Sequence, residues 1–568
     1  MKKSIRIMSL LLVLIMAAAL FAGCGTNGGS SSASGSKPTD APAPATEAPS
    51  SAPDASEEPG DAPEPAGITY PLTTDGDAEL SMFILYSDML SQYFASHDEC
   101  VFWQELEKRT GVHINFAITP NNAALAQQFN IMTAGGDYTD LVHSVHMFYT
   151  SGLDTAIDQG VLLSLNDYIE DCMPDYLAAI SSNDEMYKAA KTDEGNFAVA
   201  RGFYDTVFST VYGPVIRQDW LDKVDMEVPE TYDELYEVMK AFKSECGAEY
   251  GIAIPYTGVP FGDYLVSGFG VSGFALYARN LAPFYQENGT VKYGPIEEGF
   301  RDYLTTVSQW YSEGLIDEDF FSFTANFTYP EDEEISAERV GIWYTQAALM
   351  GNYSRWFDES SSFALTPMKD TVKTAGDINH LYYAQDLGSG QSVGVTTACE
   401  DPELAAKWLN YAYTEEGNIL YNYGVEGVSF EYVDGKPQLS DVVVNNPDFP
   451  APFAIGYYAQ SNGAFIIDSQ RLTVGYTGAQ KDAMSVWASS TDGANSYPYY
   501  ATMTTDEGTD FANAYSDIDT YVTTMILKFI TGEESMDAFD DFVAQVRDMG
   551  IDDCIAVKQA ALERYNKR

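Results

Sequence analysis

The sequence has 568 residues, of which 45% are hydrophobic and 13% aromatic, so it can build a sizeable globular interior. Its 30 Lys and Arg residues and 84 Asp and Glu residues give a formal net charge of −54 at pH 7. That charge argues against nucleic acids and anionic membrane surfaces as partners. A chain of this length favours two or more lobes over a single core.

The six cysteines show no CxxC spacing, so they resemble neither a disulfide framework nor a zinc site. Apart from Cys24, five remain, and an odd number leaves at least one thiol unpaired. Unpaired buried thiols are the simplest expectation, although up to two disulfides stay open.

The N-terminal segment has the pattern of an export signal. Residues 2–6 carry the positive charges, and residues 8–20 form an apolar run that is short for a membrane-spanning helix. The following LFAGC, which ends at Cys24, resembles a bacterial lipobox, whose cysteine is acylated and becomes the mature N-terminus. We therefore expect a signal peptide over residues 1–23 and lipidation (palmitate) at Cys24. An ordinary secreted protein is the alternative.

Residues 24–67 are expected to form a disordered linker. The segment consists almost entirely of Gly, Ser, Ala, Pro, Thr, Asp and Glu, with Lys37 as its single positive charge. Because it has no apolar periodicity, it cannot bury enough surface to offset the chain entropy lost on folding. It should hold a folded domain some distance from the membrane.

The chain after the linker alternates between strand and helix patterns, which predicts a parallel α/β lobe. In chain order, these elements are a strand at 80–86, a helix with Asp98 as N-cap and Gly111 at its end, a strand at 112–118, a helix that stops at 134–136, and a strand around Leu141 and Val142.

Further helix signals follow later in the chain. They are a capping box from Thr231 to Glu234, a helix at 297–312, Asp401 and Pro402 as N-cap and first helical residue, and two helices after Glu534 that are separated by Gly550.

These segments resemble the carbohydrate-type extracellular solute-binding proteins of ABC importers, in particular their larger lipoprotein branch common in Gram-positive bacteria. The resemblance covers residues 68–568. It rests on several segments that occur in the family's order: FWQELEKRTGVHINF, FNIMTAGGDYTDLVHSV, GVLLSLNDYIEDCMPDY, VIRQDWLDKV, ERVGIWYTQ, DPELAAKWLNYAYTEEGNILYNYG and FITGEESMDAFDDFVAQVRDMGI.

The resemblance implies a two-lobed α/β clam of the type II periplasmic-binding-protein kind, with hinge crossovers between lobes that close on the ligand. We expect the first lobe at 68–202, completed by about 366–425, and the second at 203–365, completed by about 426–568. Such a protein is not an enzyme, and we expect no cofactor and no metal in its site. It works as a monomer that hands a carbohydrate to importer permease subunits, and it touches the extracellular face of the cytoplasmic membrane only through its lipid anchor. A structural calcium ion at the acidic run 331–334 stays open, although the run lacks the DxDxDG spacing.

Three motifs with chemical associations are better explained as structure. The GxGxxG at 268–273 lacks the acidic residue and helix that a dinucleotide site requires. The GxSxG around Ser392 has no His after it, whereas an α/β-hydrolase requires one. His143 and His146 lie three residues apart without an accompanying carboxylate pattern, so a position at a cleft edge is favoured over metal binding.

Candidate ligand-binding residues follow the predicted strands, because ligands of α/β lobes lie beyond the carboxyl ends of strands. Sugar recognition needs flat aromatic faces together with planar Asp, Asn, Arg and Gln groups. The candidates from strand ends are Tyr86, Asp88, His143, His146, Phe148, Tyr149, Arg201, Phe203 and Tyr204. The resemblance adds Arg217, Trp343 and Tyr344 by family position, with Trp343 as the expected stacking platform.

Two other functions stay open. The binding architecture also suits another solute, such as a peptide. A secreted glycan hydrolase would need a pair of carboxylates, and 84 acidic residues allow such a pair to be chosen anywhere.

Overall fold

The described residues form two main sheets, of six and four strands, and two 2-stranded hairpins, at 284–293 and 430–439. The computed structural model describes residues 67–568 except 86–92, 120–121, 146–148, 150–151, 207–210, 254–262, 273–282, 323–331, 359, 382–386, 447–450, 461–462 and 474–475. Its strands are β1 (Ala78–Leu85), β2 (Val112–Thr119), β3 (Leu141–His143), β4 (Ala200–Tyr204), β5 (Tyr212–Arg217), β6 (Tyr250–Ile252), β7 (Phe284–Glu287), β8 (Thr290–Tyr293), β9 (Val340–Gln346), β10 (Leu365–Pro367), β11 (Gly388–Val395), β12 (Phe430–Val433), β13 (Lys436–Leu439) and β14 (Ile466–Ile467).

The α-helices lie between and after these strands. They are Val101–Thr110, Asn122–Gly135, Leu153–Asp158, Ile169–Cys172, Pro174–Ser181, Asp184–Ala190, Gln218–Val224, Tyr232–Ala241, Asp263–Val266, Glu298–Ser312, Asp332–Ser336, Ala347–Tyr353, Pro402–Tyr411, Glu415–Tyr423, Asp441–Val444, Ala451–Tyr458, Gly478–Ala488, Thr505–Thr531, Phe539–Asp548 and Ile551–Tyr565.

The first sheet has the order β14-β4-β11-β3-β1-β2. β1 pairs in parallel with β2 and β3, which confirms the predicted β-α-β-α-β unit. β11 runs antiparallel between β3 and β4, and β14 is parallel to β4. Helices cover the sheet and bury apolar residues such as Leu80, Phe102 and Leu106 in one large core.

The second sheet has the order β10-β5-β9-β6. β9 is antiparallel to β5 and parallel to β6. The helix Gly478–Ala488 packs on this sheet, where Trp487 Nε1 donates a hydrogen bond to the Pro214 carbonyl at 3.0 Å. In the described residues, the chain thus crosses between the sheets after β4, after β10 and after β14.

The expected bounds of the lobes stay a prediction. Sheet membership differs from them at three points. β4 continues to Tyr204, β10 at Leu365–Pro367 lies in the second sheet, and β14 at Ile466–Ile467 lies in the first.

Several local predictions are confirmed. Thr231 and Glu234 form the capping box at the helix Tyr232–Ala241. The Asp401 side chain accepts from the Leu404 backbone N–H at 3.0 Å. The expectation for Asp98 is wrong, because Ser96 caps a single 3₁₀ turn there, and the α-helix begins at Val101.

Candidate ligand-binding site

The strand directions bring several chain ends to one edge of the first sheet. β1, β2, β3, β4 and β14 run in the same direction, so their carboxyl ends share that edge, and the antiparallel β11 begins there. Ligands of open α/β sheets bind outside the carboxyl ends of strands. We call this side of the first sheet the carboxyl edge.

Polar groups at the carboxyl edge hold one another in place. Ser144, directly after β3, adopts a left-handed backbone with φ of 55°. Its hydroxyl donates to Gln391 Oε1 at 3.2 Å, and its backbone N–H donates to the Ser392 carbonyl at 2.7 Å. A non-glycine residue in this conformation is costly and persists where surrounding contacts demand it. The contacts of Ser144 therefore fix the loop after β3 against β11.

Tyrosines line the first crossing between the sheets. Tyr204 ends β4 and Tyr212 begins β5. Burial, followed by the neighbouring hydroxyls of Tyr476 and Tyr204, raises the pKa of Tyr212. The Tyr212 hydroxyl also accepts a hydrogen bond from Gln346 Nε2 at 3.3 Å, at the end of β9. Aromatic rings and a planar amide from both sheets are thus brought together at the crossing.

A cavity of about 370 Å³ lies between the first sheet and the C-terminal helices. Its wall comes from the helix Leu153–Asp158, the loop 191–194, the segment 502–506 and the side chains of Arg201, Tyr500, Arg564 and Arg568. Arg201 is 5% exposed, and its guanidinium carbon lies 4.5 Å from the centre of the Tyr500 ring. We call this space the Arg201 cavity.

Asp193 closes one side of the Arg201 cavity. Its carboxylate accepts from Arg564 Nε at 2.8 Å and from Arg568 Nη2 at 2.6 Å. Arg564 also pairs with Glu507 in the first turn of the helix Thr505–Thr531. These charge-assisted bonds connect the loop before β4 to the C-terminal helices.

The structure places the strand-end candidates in different surroundings. Tyr86, Asp88, His146 and Phe148 lie outside the described residues. Arg201 lines the cavity, and Tyr204 is half-buried at the crossing.

The other three strand-end candidates are buried or form contacts with other residues of the protein. Phe203 is fully buried in the core. The Tyr149 hydroxyl donates to Gln159. Burial and the nearby His97 lower the pKa of His143 to about 4, so its imidazole is neutral at pH 7.

The roles expected for Arg217, Trp343 and Tyr344 require correction. β9 lies between β5 and β6, and its residues are buried from Val340 to Thr345. Trp343 is 0% exposed and packs edge-on against Tyr353 at 5.5 Å. Tyr344, 2% exposed, points into the opposite core. A fully buried ring offers no face to a sugar, so neither residue is kept in the site.

Arg217 is held by the protein itself. Its Nε donates to Asp219 Oδ1 at 2.8 Å and its Nη2 to Glu338 Oε2 at 3.0 Å. The guanidinium carbon also lies 4.5 Å from the centre of the Trp220 ring. With its charge neutralised and its face covered, Arg217 supports the second sheet.

Sequence reasoning missed Tyr500, Arg564 and Arg568. No strand end or motif marks them, because they come from the C-terminal part of the chain and reach the cavity only through tertiary packing. The tyrosine-rich stretch around Tyr500 was the one compositional signal.

The described residues carry no signs of a metal centre or a membrane-spanning helix. Over the residues that the structure describes, no group of three His, Cys, Asp or Glu side chains is arranged to hold a metal ion. Likewise, no helix within the described ranges is long and apolar enough to cross a membrane.

Cys100, Cys172, Cys246, Cys399 and Cys554 are free thiols.

Comparison with known proteins places this arrangement in a family context. The profile of the family described as "Bacterial extracellular solute-binding protein" matches residues 99–419. The fructooligosaccharide ABC transporter substrate-binding protein FusA of Streptococcus pneumoniae is 22% identical over 525 residues, covering 88% of this chain and 92% of that protein. Lipoprotein LipO of Bacillus subtilis is 27% identical over 352 residues, covering 58% of this chain and 64% of LipO.

The fold agrees with solved structures. A human-milk-oligosaccharide (HMO) binding, ABC-transporter-associated solute-binding protein from Bifidobacterium longum infantis superposes with a TM-score of 0.69 at 17% identity. The match covers 87% of this chain and 100% of that one. The expected type II periplasmic-binding-protein fold is thereby confirmed.

Proposed function

Because the chain belongs to the bacterial extracellular solute-binding proteins, we propose that it captures a sugar or oligosaccharide and delivers it to the permease of an ABC importer. The ligand binds between the two sheets, at the carboxyl edge and the adjoining Arg201 cavity. Release to the permease follows when the parts of the protein that carry the sheets move apart about the crossings.

The observation that carries the proposal is the set of aromatic and planar polar side chains along β4 and at the crossing that follows it. Tyr204 and Tyr212 supply aromatic surface at the crossing, and Arg201 and Tyr500 line the cavity. Small-molecule sites combine apolar walls with a few placed polar groups, and the cavity volume of about 370 Å³ falls in their usual range. The substrate in the name of FusA is also an oligosaccharide, which supports the same class of ligand here.

The protein works as a monomer on the extracellular face of the cytoplasmic membrane. Support comes from the export signal and the lipobox-like sequence at Cys24, which lie outside the described residues, and from the match to a lipoprotein. Two acyl chains at Cys24 give stable anchoring, because each buried methylene contributes about 0.8 kcal/mol. The linker at 24–67 then lets the binding domain reach the permease.

A ligand screen tests the proposal. Neutral oligosaccharides, acidic oligosaccharides and short peptides are added separately, and the melting temperature is recorded. A ligand at a hundred times its Kd adds about 2.7 kcal/mol to the stability of the folded state, which raises that temperature measurably. We expect at least one oligosaccharide to do so. Stabilisation by peptides alone would contradict the proposal, as would release of shortened products from an added glycan.

A further inference from the structure

The Arg201 cavity contains a buried positive charge with which no carboxylate of the described residues pairs. Nε and Nη1 of Arg201 are buried atoms that have no hydrogen-bond partner in the part of the chain that the structure describes. No carboxylate of the described residues forms an ion pair with this guanidinium, whose flat face lies over Tyr500. An arginine cannot avoid the cost of burial by losing its proton. Because an uncompensated buried charge lowers stability, we expect the Arg201 guanidinium to serve a function.

The two neighbouring arginines differ from Arg201 because their charges are already neutralised. Arg564 and Arg568 share the Asp193 carboxylate, and Arg564 also pairs with Glu507. Lys191 also lines the cavity and forms no ion pair among the described residues, but its ammonium group lies over the rings of Tyr187 and Phe197, at 4.8 and 5.3 Å from their centres. Arg201 is therefore the arginine of this cavity that can accept a new anionic partner without breaking an existing ion pair.

The helix Thr505–Thr531 adds a second favourable element. Its first residue, Thr505, and the N-cap Thr504 line the cavity. The N-terminal end of a helix carries a partial positive charge, which favours an anion nearby. The N-terminal end of the helix and the guanidinium of Arg201 thus both favour an anion in the cavity.

The residues at the outer part of the cavity limit which anions can bind. The exposed carboxylates Asp158, Glu194 and Asp506 line it. The pKa of Glu194 is raised, mainly by the negative charge of Asp154. The electrostatic potential at this rim is therefore negative. A bare polyanion such as phosphate is repelled there. A ligand with one carboxylate and several hydroxyls can place the carboxylate on Arg201 and donate its hydroxyl protons to the rim.

We propose that the Arg201 cavity binds the carboxylate of a sugar acid, so that the captured oligosaccharide contains a uronate residue. The carboxylate oxygens accept from the Arg201 guanidinium in the forked geometry that arginine provides. This inference rests on the proposed function, because it names the class of sugar that the same site takes.

The test compares each uronate with its methyl ester, which keeps the sugar skeleton and removes the charge. Otherwise neutral oligosaccharides that end in one galacturonate, glucuronate or mannuronate residue, free and esterified, are titrated by calorimetry into the full chain and into Arg201→Gln. We expect the wild type to bind at least one free acid about tenfold or more tightly than its ester, and Arg201→Gln to lose most of that preference. Arg201→Lys, which keeps the charge without the fork, should retain an intermediate preference.

Several results would overturn the inference: equal binding of acid and ester by the wild type, an undiminished preference in Arg201→Gln, or tighter binding of inorganic phosphate than of any uronate. Binding of neutral oligosaccharides without uronates would overturn it and leave the proposed function standing, whereas binding of peptides alone would overturn both.

A melting experiment without ligand separates binding from a structural role. Since no carboxylate in the described part of the chain pairs with Arg201, Arg201→Gln should melt at or above the wild-type temperature. A clearly lower melting temperature would mean that the folded protein itself uses the charge, which contradicts the inference.

Discussion

Arg568 and Asp193 form an ion pair across 375 residues of sequence, with 2.6 Å between Nη2 and Oδ1. The two side chains are only 4% and 10% exposed. Asp193 lies in the loop that leads to β4, and Arg568 follows the C-terminal helix Ile551–Tyr565. Because Arg564 binds the same carboxylate, one acidic residue connects the C-terminal helices to the first sheet.

Replacing Asp193 should therefore destabilise the protein. In Asp193→Asn the amide cannot balance the two guanidinium charges, and breaking a buried ion pair by removing one partner costs about 3 kcal/mol or more. We expect a clearly lower midpoint of urea unfolding. The matched control is Asp540→Asn, because Asp540 pairs with Arg301 but is 82% exposed. Such surface pairs contribute about 0–1 kcal/mol. Equal midpoints of urea unfolding for the two variants would show that Asp193 contributes no more to stability than an exposed residue does.

Trp343 is expected to act on stability and not on ligand affinity. Trp343→Ala removes a fully buried ring from the core beneath β9, which typically costs about 3–5 kcal/mol. Trp343→Phe should cost less, since Nε1 has no hydrogen-bond partner among the described residues and only ring volume is lost. Thermal melts and titration with the ligand found in the screen provide the two readouts. An unchanged melting temperature together with lost ligand affinity would show that Trp343 belongs to the binding site.

Local chemistry was predictable where a few adjacent residues decide it. The Thr231 capping box and the left-handed Gly550, with φ of 99°, lie where their patterns indicate. These signals work because the bonding partners are three or four residues apart. The Asp98 prediction failed because Asp98 lies inside a 3₁₀ turn that Ser96 caps, and the α-helix begins only at Val101.

The candidate site was only partly predictable, because its contacts join distant parts of the chain. Arg201 was expected in a loop after a strand but lies inside β4 as its second residue. Its neighbour Tyr500 comes from a loop that no pattern connects to β4. Trp343 illustrates a different limit. A short apolar strand has the same sequence pattern whether one or both of its faces are covered, and β9 is covered on both.

Asp370 is expected to make stability depend on pH. It is 4% exposed, accepts from the Ser490 hydroxyl at 3.1 Å, and burial raises its pKa from 3.8 to about 7. Between these pH values the folded state binds this proton more tightly than the unfolded chain. The free energy of unfolding therefore falls as the pH rises from about 4 to about 7, by at most about 4 kcal/mol from this group.

Asp370→Asn isolates that contribution, because asparagine stays neutral and can still accept from Ser490. We expect the variant to unfold at higher urea than the wild type at pH 8, and the difference to shrink towards pH 4. A difference between the two proteins that does not change with pH would exclude Asp370 as the titrating group. Asp492→Asn serves as a control, since Asp492 is an exposed acid that pairs with His380.

Cys24 is expected to carry the lipid anchor. Cys24→Ala removes the thiol that acylation requires, so the protein should move from the membrane fraction to the medium. Cell fractionation with immunodetection measures this, and Cys246→Ala controls for the loss of any thiol outside the lipobox-like sequence. Membrane retention of Cys24→Ala equal to that of wild type would contradict the anchor.

Removing the linker should leave folding and binding unchanged. A protein that begins at Ile68 loses only residues without a core-forming pattern. It keeps Tyr70, whose hydroxyl donates to the Lys407 carbonyl at 2.7 Å and whose ring packs on Tyr411 at 4.8 Å. We expect its stability to match that of the longer chain within about 0.5 kcal/mol, with an unchanged Kd. A second truncation, beginning at Leu72, loses both Tyr70 contacts and should melt at a lower temperature. A loss of stability or affinity already in the Ile68 protein would mean that residues 24–67 contribute to the folded domain.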